Sequence, residues 1–109
     1  MSWTHIDYRE FWDVPRVFLA TYNGRRYLFE CLFDEKLDEY PDRYVAYEMP
    51  ALSEAQLQGS WEKLSNSALN FAGTVPVSAV QFDSTKRSSI NSAVFELLHT
   101  KPAGLARSA

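Results

Sequence analysis

The dipeptide Asn23-Gly24 constrains the fold of this chain more than any other feature, because it stands between two strand-like runs. These runs, residues 17–22 and 25–33, are rich in the β-branched and aromatic residues that favour strands. Asn-Gly suits the two positive φ angles of a type I′ turn, which joins antiparallel strands through a two-residue loop. The sequence therefore predicts a β-hairpin whose register is set by the turn.

The predicted register gives the hairpin two largely apolar faces. One face pairs Tyr22 with Arg25, Ala20 with Tyr27, Phe18 with Phe29, and Arg16 with Cys31. The other pairs Thr21 with Arg26, Leu19 with Leu28, and Val17 with Glu30. A sheet open to water on one side alternates more cleanly, so we expect both faces to be covered. Short helices would cover one face, and either a homodimer or the terminal segments would cover the other.

The chain before the hairpin is predicted to be helical. Thr4 is a candidate N-cap, and Asp7 three residues later completes a weak capping box. We expect this helix to run from His5 to about Trp12 and to stop before Pro15, because a residue that precedes proline is disfavoured in helical geometry.

After the hairpin, residues 34–42 are predicted to form a loop, residues 43–49 a third strand and residues 75–82 a fourth. A helix is expected from Ser53, where Gln56 completes a capping box. An apolar stripe with helical spacing runs through this helix and consists of Leu57, Trp61, Leu64, Ala68 and Phe71. We expect the helix to be broken or kinked at residues 59–60 and to end at the predicted C-cap Gly73. A last helix is predicted from Ile90 to about His99.

These elements predict an α+β fold: a small antiparallel sheet of about four strands, centred on the Asn23-Gly24 hairpin and packed with two or three short helices. The chain has 109 residues, which suits one domain. We expect that domain to span residues 1–100 and a flexible C-terminal tail to span residues 101–109.

Acidic residues are concentrated in one segment of the chain. Residues 30–54 hold eight acidic residues and only two basic ones, whereas the whole chain has a net charge of −3. Nucleic-acid binders usually carry a basic patch instead, so nucleic acid is not an expected partner. Acidic clusters steer basic partners, and we predict that a partner protein binds Asp34, Glu35, Asp38, Glu39 and Asp42.

No catalytic or metal-binding constellation stands out in the sequence, and no cofactor is expected. The two histidines, His5 and His99, lack partners at metal-ligand spacing, and Cys31 is the only cysteine. Signal-peptide character is missing at the N-terminus, and the longest apolar runs are too short to span a membrane. We therefore expect a cytoplasmic protein that does not bind membranes.

The order of several short motifs in this chain resembles the order found in a family of small bacterial domains of unknown function. An Asp-x-Pro step opens an apolar strand within residues 11–20, followed by the turn at residues 23–24, Tyr27-Leu28, and Asp34-Glu35. A short helix then begins Ser-Glu at residues 53–54, with Gly59 soon after. The resemblance covers about residues 6–82, and Trp61 and Asn66-Ser67 depart from it. It implies a small α+β domain and brings no catalytic residues.

Two functions are compatible with these features. The leading hypothesis is a small non-enzymatic interaction or regulatory protein, of bacterial or mobile-element origin, that binds a partner protein through its acidic face. The alternative is a small-molecule-binding domain or minor enzyme with an aromatic-lined pocket around Trp12, Tyr27 and Tyr47. A concave pocket with converging polar groups would favour the alternative.

Overall fold

The fold is dominated by β-structure in the part of the chain that the computed structural model describes, which is residues 2–11, 15–61, 63–83, 85 and 88–98. Six strands occur there: β1 (Trp3–Phe11), β2 (Pro15–Tyr22), β3 (Arg25–Glu30), β4 (Arg43–Met49), β5 (Asn70–Pro76) and β6 (Ser89–Asn91). They form one antiparallel sheet in the order β5-β4-β3-β2-β1-β6. The first five strands are a meander, and β6 returns to the free side of β1.

The hairpin is confirmed, together with its register. The six pairs from Val17–Glu30 to Tyr22–Arg25 lie opposite each other as predicted, and the N–H of Cys31 donates to the carbonyl of Arg16 at 2.7 Å. Asn23 and Gly24 have φ angles of 52° and 77°, the two positive values that a type I′ turn requires.

The predicted α+β fold with about four strands and two or three packed helices is wrong, because the sheet has six strands in the described residues and little helix packs on it. The first error is the predicted helix from His5, where the chain forms β1 instead. Ile6 is buried and Tyr8 partly so, while His5 and Asp7 point to the opposite face. This two-residue alternation is typical of a strand.

The second error lies in the predicted helix that follows Ser53. The capping box of Ser53 and Gln56 is present, but the helix α1 (Glu54–Gln58) ends at Gly59 after five residues. The residues that were predicted to continue this helix form a loop and a short 3₁₀ turn (Leu64–Ser67) instead, and Phe71 belongs to β5. Gly73 is not a C-cap, since it pairs with Ala46 beside a β-bulge.

The third error concerns the end of the chain. The predicted fourth strand over residues 75–82 is replaced by β5, a 3₁₀ turn (Val77–Ala79) and an isolated bridge between Phe82 and Ile90. Ile90 begins no helix, because it lies in β6, and residues 94–98 are helical instead. His99 and the predicted tail over residues 101–109 lie outside the described residues.

Both faces of the hairpin are covered within one chain. One face packs a large cluster around Phe18 and Phe29 against Val80, Ile90 and Phe95. On the opposite face, a smaller cluster forms from Val17, Leu19, Leu28, Met49, Trp61 and Leu64. The expectation that both faces are covered is therefore met by residues of the same chain, and the homodimer, which was one of two possible covers, stays an untested prediction.

Candidate functional site

The loop between β3 and β4, residues 31–42, carries acidic and large apolar side chains together; we call it the acidic–apolar loop. Glu35, Asp38, Glu39 and Asp42 are exposed, and Asp34 is partly buried. The large apolar or aromatic side chains that the loop exposes are Leu32, Phe33, Leu37 and Tyr40, at 44%, 45%, 64% and 38% of their surface. Large apolar groups that are exposed close together, as Phe33 and Tyr40 are, are typical of an interaction surface.

The tip of this loop is a tight turn held by its own backbone. The N–H of Asp34 donates to the carbonyl of Glu39 at 2.8 Å, and the N–H of Glu39 donates back at 3.3 Å. Asp34 Oδ1 also accepts from the N–H groups of Lys36 at 2.9 Å and Leu37 at 3.3 Å. Asp38 has a φ of 56°, a left-handed conformation that Asp tolerates better than most residues. The turn therefore presents its exposed side chains in a defined geometry.

The root of the loop is fixed to the sheet through the buried side chain of Arg16. Its guanidinium group lies over the Tyr40 ring, 3.8 Å from the ring centre, and Nη1 donates to Cys31 Sγ at 3.4 Å. The Cys31 thiol in turn donates to the carbonyl of Pro41 at 3.3 Å. Phe33 packs edge-on against Tyr40, with ring centres 5.2 Å apart. These contacts couple both ends of the loop to β2.

A groove of about 500 Å³ opens beside this root. Residues 40–42 form one wall, and residues 76–78, at the end of β5, form the other. Arg16 contributes to the lining between them, and the N–H of Val77 donates to the carbonyl of Asp42 at 2.8 Å. The groove therefore lies against the root of the acidic–apolar loop.

The five acidic residues predicted to bind a partner all lie on the acidic–apolar loop. Four of them, Asp34, Glu35, Asp38 and Glu39, belong to the tip, and Asp42 lies at the root. Asp34 also has a structural role, because its carboxylate accepts the turn hydrogen bonds. The sequence reasoning missed the apolar members, Leu37 above all, although the signal was present: apolar residues alternate with acids between Leu32 and Tyr40.

The residues predicted to line an aromatic pocket are not brought together. Tyr27 is buried in the cluster around Phe18, whereas Tyr47 packs against the other face of the sheet, so the two rings are separated by the sheet. Burial raises the pKa of both phenols, and for Tyr47 the nearby charge of Glu30 raises it further. Trp12 lies outside the described residues.

Glu30 is a buried acid on the same face as Tyr47. Only 7% of its surface is exposed, and Oε2 has no hydrogen-bond partner among the residues that the structure describes. Desolvation raises the pKa of this carboxyl above its ordinary value of 4.5. In the described ranges, no group of three or more His, Cys, Asp or Glu side chains is arranged to hold a metal ion.

Comparison with known proteins assigns no relationship: no family model matches the chain, and neither a curated protein nor a solved structure matches it. The resemblance seen in the sequence thus has no matching family model behind it. None of the helices in the described part of the chain is long and apolar enough to cross a membrane.

Proposed function

We propose that this chain is a small interaction protein that binds a positively charged partner protein through the acidic–apolar loop. The observation that carries the proposal is the exposure of Leu37, at 64% of its surface, at the tip of a turn flanked by Glu35, Asp38 and Glu39. Carboxylates around an apolar group complement a basic surface with an apolar pocket. The charges would steer the encounter, and the apolar group would slow dissociation.

The geometry of the loop supports this proposal. A flexible loop loses conformational entropy when a partner orders it, whereas a turn already held by backbone hydrogen bonds loses less. The contact between Arg16 and Tyr40 holds the root in the same way. We propose that this role is non-enzymatic. The same proposal includes a regulatory role, a cytoplasmic location and an origin in a bacterium or a mobile element.

The alternative of an aromatic-lined pocket has less support. Its two described members, Tyr27 and Tyr47, face opposite sides of the sheet, so they cannot contact one ligand together. Tyr27 lines a separate cavity of about 240 Å³ with Phe71.

The test uses two pairs of matched variants. Glu35→Gln/Glu39→Gln removes two charges from the loop, and Glu54→Gln/Glu96→Gln removes two exposed charges elsewhere. Leu37→Ser removes the apolar tip, and Leu97→Ser changes a leucine that is 48% exposed on the 94–98 helix. Partner proteins that the wild type captures from the native host are identified and purified. Each partner is then titrated against the wild type and the four variants by biolayer interferometry at two salt concentrations.

The proposal predicts different kinetic defects for the two loop variants. Glu35→Gln/Glu39→Gln should slow association, most strongly at low salt, because screening weakens exposed charges. Leu37→Ser should speed dissociation by about tenfold, as expected for an interface anchor. The two control variants should bind like the wild type. A purified partner that binds both loop variants as tightly as the wild type would contradict the proposal.

A further inference from the structure

A further cleft lies between β1 and β2, and none of its lining residues belongs to the acidic–apolar loop. These strands pair from Phe11–Pro15 to Ile6–Ala20, and there the pairing ends. Residues 3–5 of β1 pair instead with β6 on the other side, whereas β2 continues to Tyr22. The cleft that results has a volume of about 250 Å³.

Its polar groups come from three neighbouring strands. His5 and Asp7 lie on the same face of β1 as the cleft, and Thr21 of β2 pairs with Arg26 of the neighbouring strand β3. His5 Nε2 lies 3.4 Å from Asp7 Oδ1, so the imidazole and the carboxylate contact each other on the same strand. Within the described residues, no carboxylate forms an ion pair with Arg26. The Asp7 carboxylate lies on the β1 side of the cleft, beside His5, whereas Arg26 lies on the β3 side, with β2 between them. Arg26 is therefore the cationic group that is available to a ligand on that side.

The apolar walls of the cleft are Leu19 on the sheet and Leu57 on α1. Arg9 fixes the second wall in place, since its Nη2 donates to the carbonyl of Leu57 at 2.8 Å. Its guanidinium group also lies 4.1 Å from the centre of the Trp61 ring. Because these contacts tie the end of α1 to β1, the wall is part of the folded structure.

We propose that this cleft binds a small aliphatic carboxylate. Arg26 and the hydroxyl of Thr21 would hold the carboxylate, since a guanidinium group matches its two oxygens. Leu19 and Leu57 would contact the aliphatic part. The volume lies just below the roughly 300–1,000 Å³ of sites for drug-sized ligands, so the ligand is smaller than these. The same chemistry is offered by a free short-chain acid and by the C-terminal residue of a peptide.

The test is a nuclear magnetic resonance titration of the full ¹⁵N-labelled chain with isovalerate into the millimolar range, with isovaleramide as the uncharged control. Isovalerate should give saturable shifts at the backbone amides of Thr21, Arg26 and Leu57, and isovaleramide should give none. Acetyl-Gly-Gly-Leu with a free carboxylate, compared with its amide, distinguishes the sources: binding of the peptide acid indicates a peptide C-terminus, and binding of isovalerate alone indicates a free acid.

Two adjacent arginines provide a matched pair of variants. Arg26 lies on the face of the cleft and Arg25 on the opposite face, because neighbouring residues of a strand point to opposite sides. Arg26→Gln should weaken isovalerate binding by at least about tenfold, and Arg25→Gln should leave it unchanged. If Arg26→Gln fails to fold, Thr21→Val decides, and weaker binding by the folded variant supports the proposal.

Three results would overturn this inference: no saturable shift with isovalerate, equal binding of isovaleramide, or an unchanged affinity in folded Arg26→Gln or Thr21→Val. The outcome is independent of the partner-binding proposal, because none of the residues tested belongs to the acidic–apolar loop.

Discussion

The guanidinium group of Arg16 lies 3.8 Å from the centre of the Tyr40 ring, and this contact joins the sheet to the acidic–apolar loop. Arg16 is buried in β2, whereas Tyr40 is 38% exposed and belongs to the loop. Phe33 contacts the same tyrosine edge-on. The orientation of the loop therefore depends on Tyr40 more than on any of its exposed carboxylates.

Tyr40→Ala should lower the free energy of unfolding by about 1–3 kcal/mol. It removes a cation–π contact of about 0.5–2 kcal/mol and an aromatic pair of about 0.5–1.5 kcal/mol. Urea denaturation measures the change. Leu37→Ala is the control, because it truncates an exposed side chain of the same loop and should change stability by less than about 0.5 kcal/mol. Equal stability of the two variants would show that Tyr40 does not anchor the loop.

Asp34 and Glu35 are adjacent acids with different expected roles. Asp34→Ala removes the acceptor of two turn hydrogen bonds, so the amides of Lys36 and Leu37 should exchange with solvent about tenfold faster. Glu35→Ala should leave their exchange unchanged, since no hydrogen bond of the described turn uses its side chain. Hydrogen exchange followed by nuclear magnetic resonance makes the comparison. Equal exchange in both variants would rule out the structural role of Asp34.

Features decided by neighbouring residues were predictable from the sequence. The Asn23-Gly24 turn sets the hairpin, and Pro50 and Ser53 separate β4 from α1; each depends on backbone preferences within a few residues. The acidic members of the candidate site could be proposed for the same reason, because all five lie within nine residues of the chain, from Asp34 to Asp42. Their apolar companions were missed although they are interspersed with the acids in the sequence, because the sequence does not show how much of Leu37 is exposed.

The errors arise where distant pairing overrides a local signal. Thr4 and Asp7 resemble a helix cap, yet β1 forms because its alternating side chains fit beside β2 and β6. The apolar residues from Leu57 to Phe71 have helical spacing, yet Phe71 lies in β5, where it pairs with Tyr47 of β4. The strand β6 was missed because it has only three residues, and these pair with β1 at the other end of the chain. Helix propensity is a weak preference that such tertiary contacts commonly override.

Gly24→Val tests the turn that organises the sheet. A Cβ atom at Gly24 would meet no atom within 4 Å, so the cost is expected in the backbone, whose φ is 77°. A β-branched residue in this conformation costs about 1–3 kcal/mol, which urea denaturation measures. Asn23→Gly is the control, because glycine adopts positive φ without steric strain and should be tolerated far better. A Gly24→Val variant as stable as the wild type would refute the type I′ turn.

Glu30 should make the protein less stable as the pH rises above 4.5. Burial raises the pKa of this carboxyl in the folded chain above its ordinary value of 4.5, so the folded state holds the proton more tightly than the unfolded state. The favourable contribution is fully present below 4.5 and is lost as the pH rises through the folded pKa. Glu30→Gln has no proton to lose, so its stability relative to the wild type should increase over that range.

Urea denaturation of both proteins between pH 4 and pH 7.5 measures this difference. Other carboxylates titrate alike in the two proteins, so subtracting their unfolding free energies isolates the contribution of Glu30. The Glu30→Gln variant buries an amide at every pH, which shifts the whole difference curve without changing its slope. Tyr47→Phe is the control: it retains Glu30, so its stability relative to the wild type should not follow this pH dependence. A flat difference curve for Glu30→Gln would show that the carboxyl is solvated or paired in the folded protein.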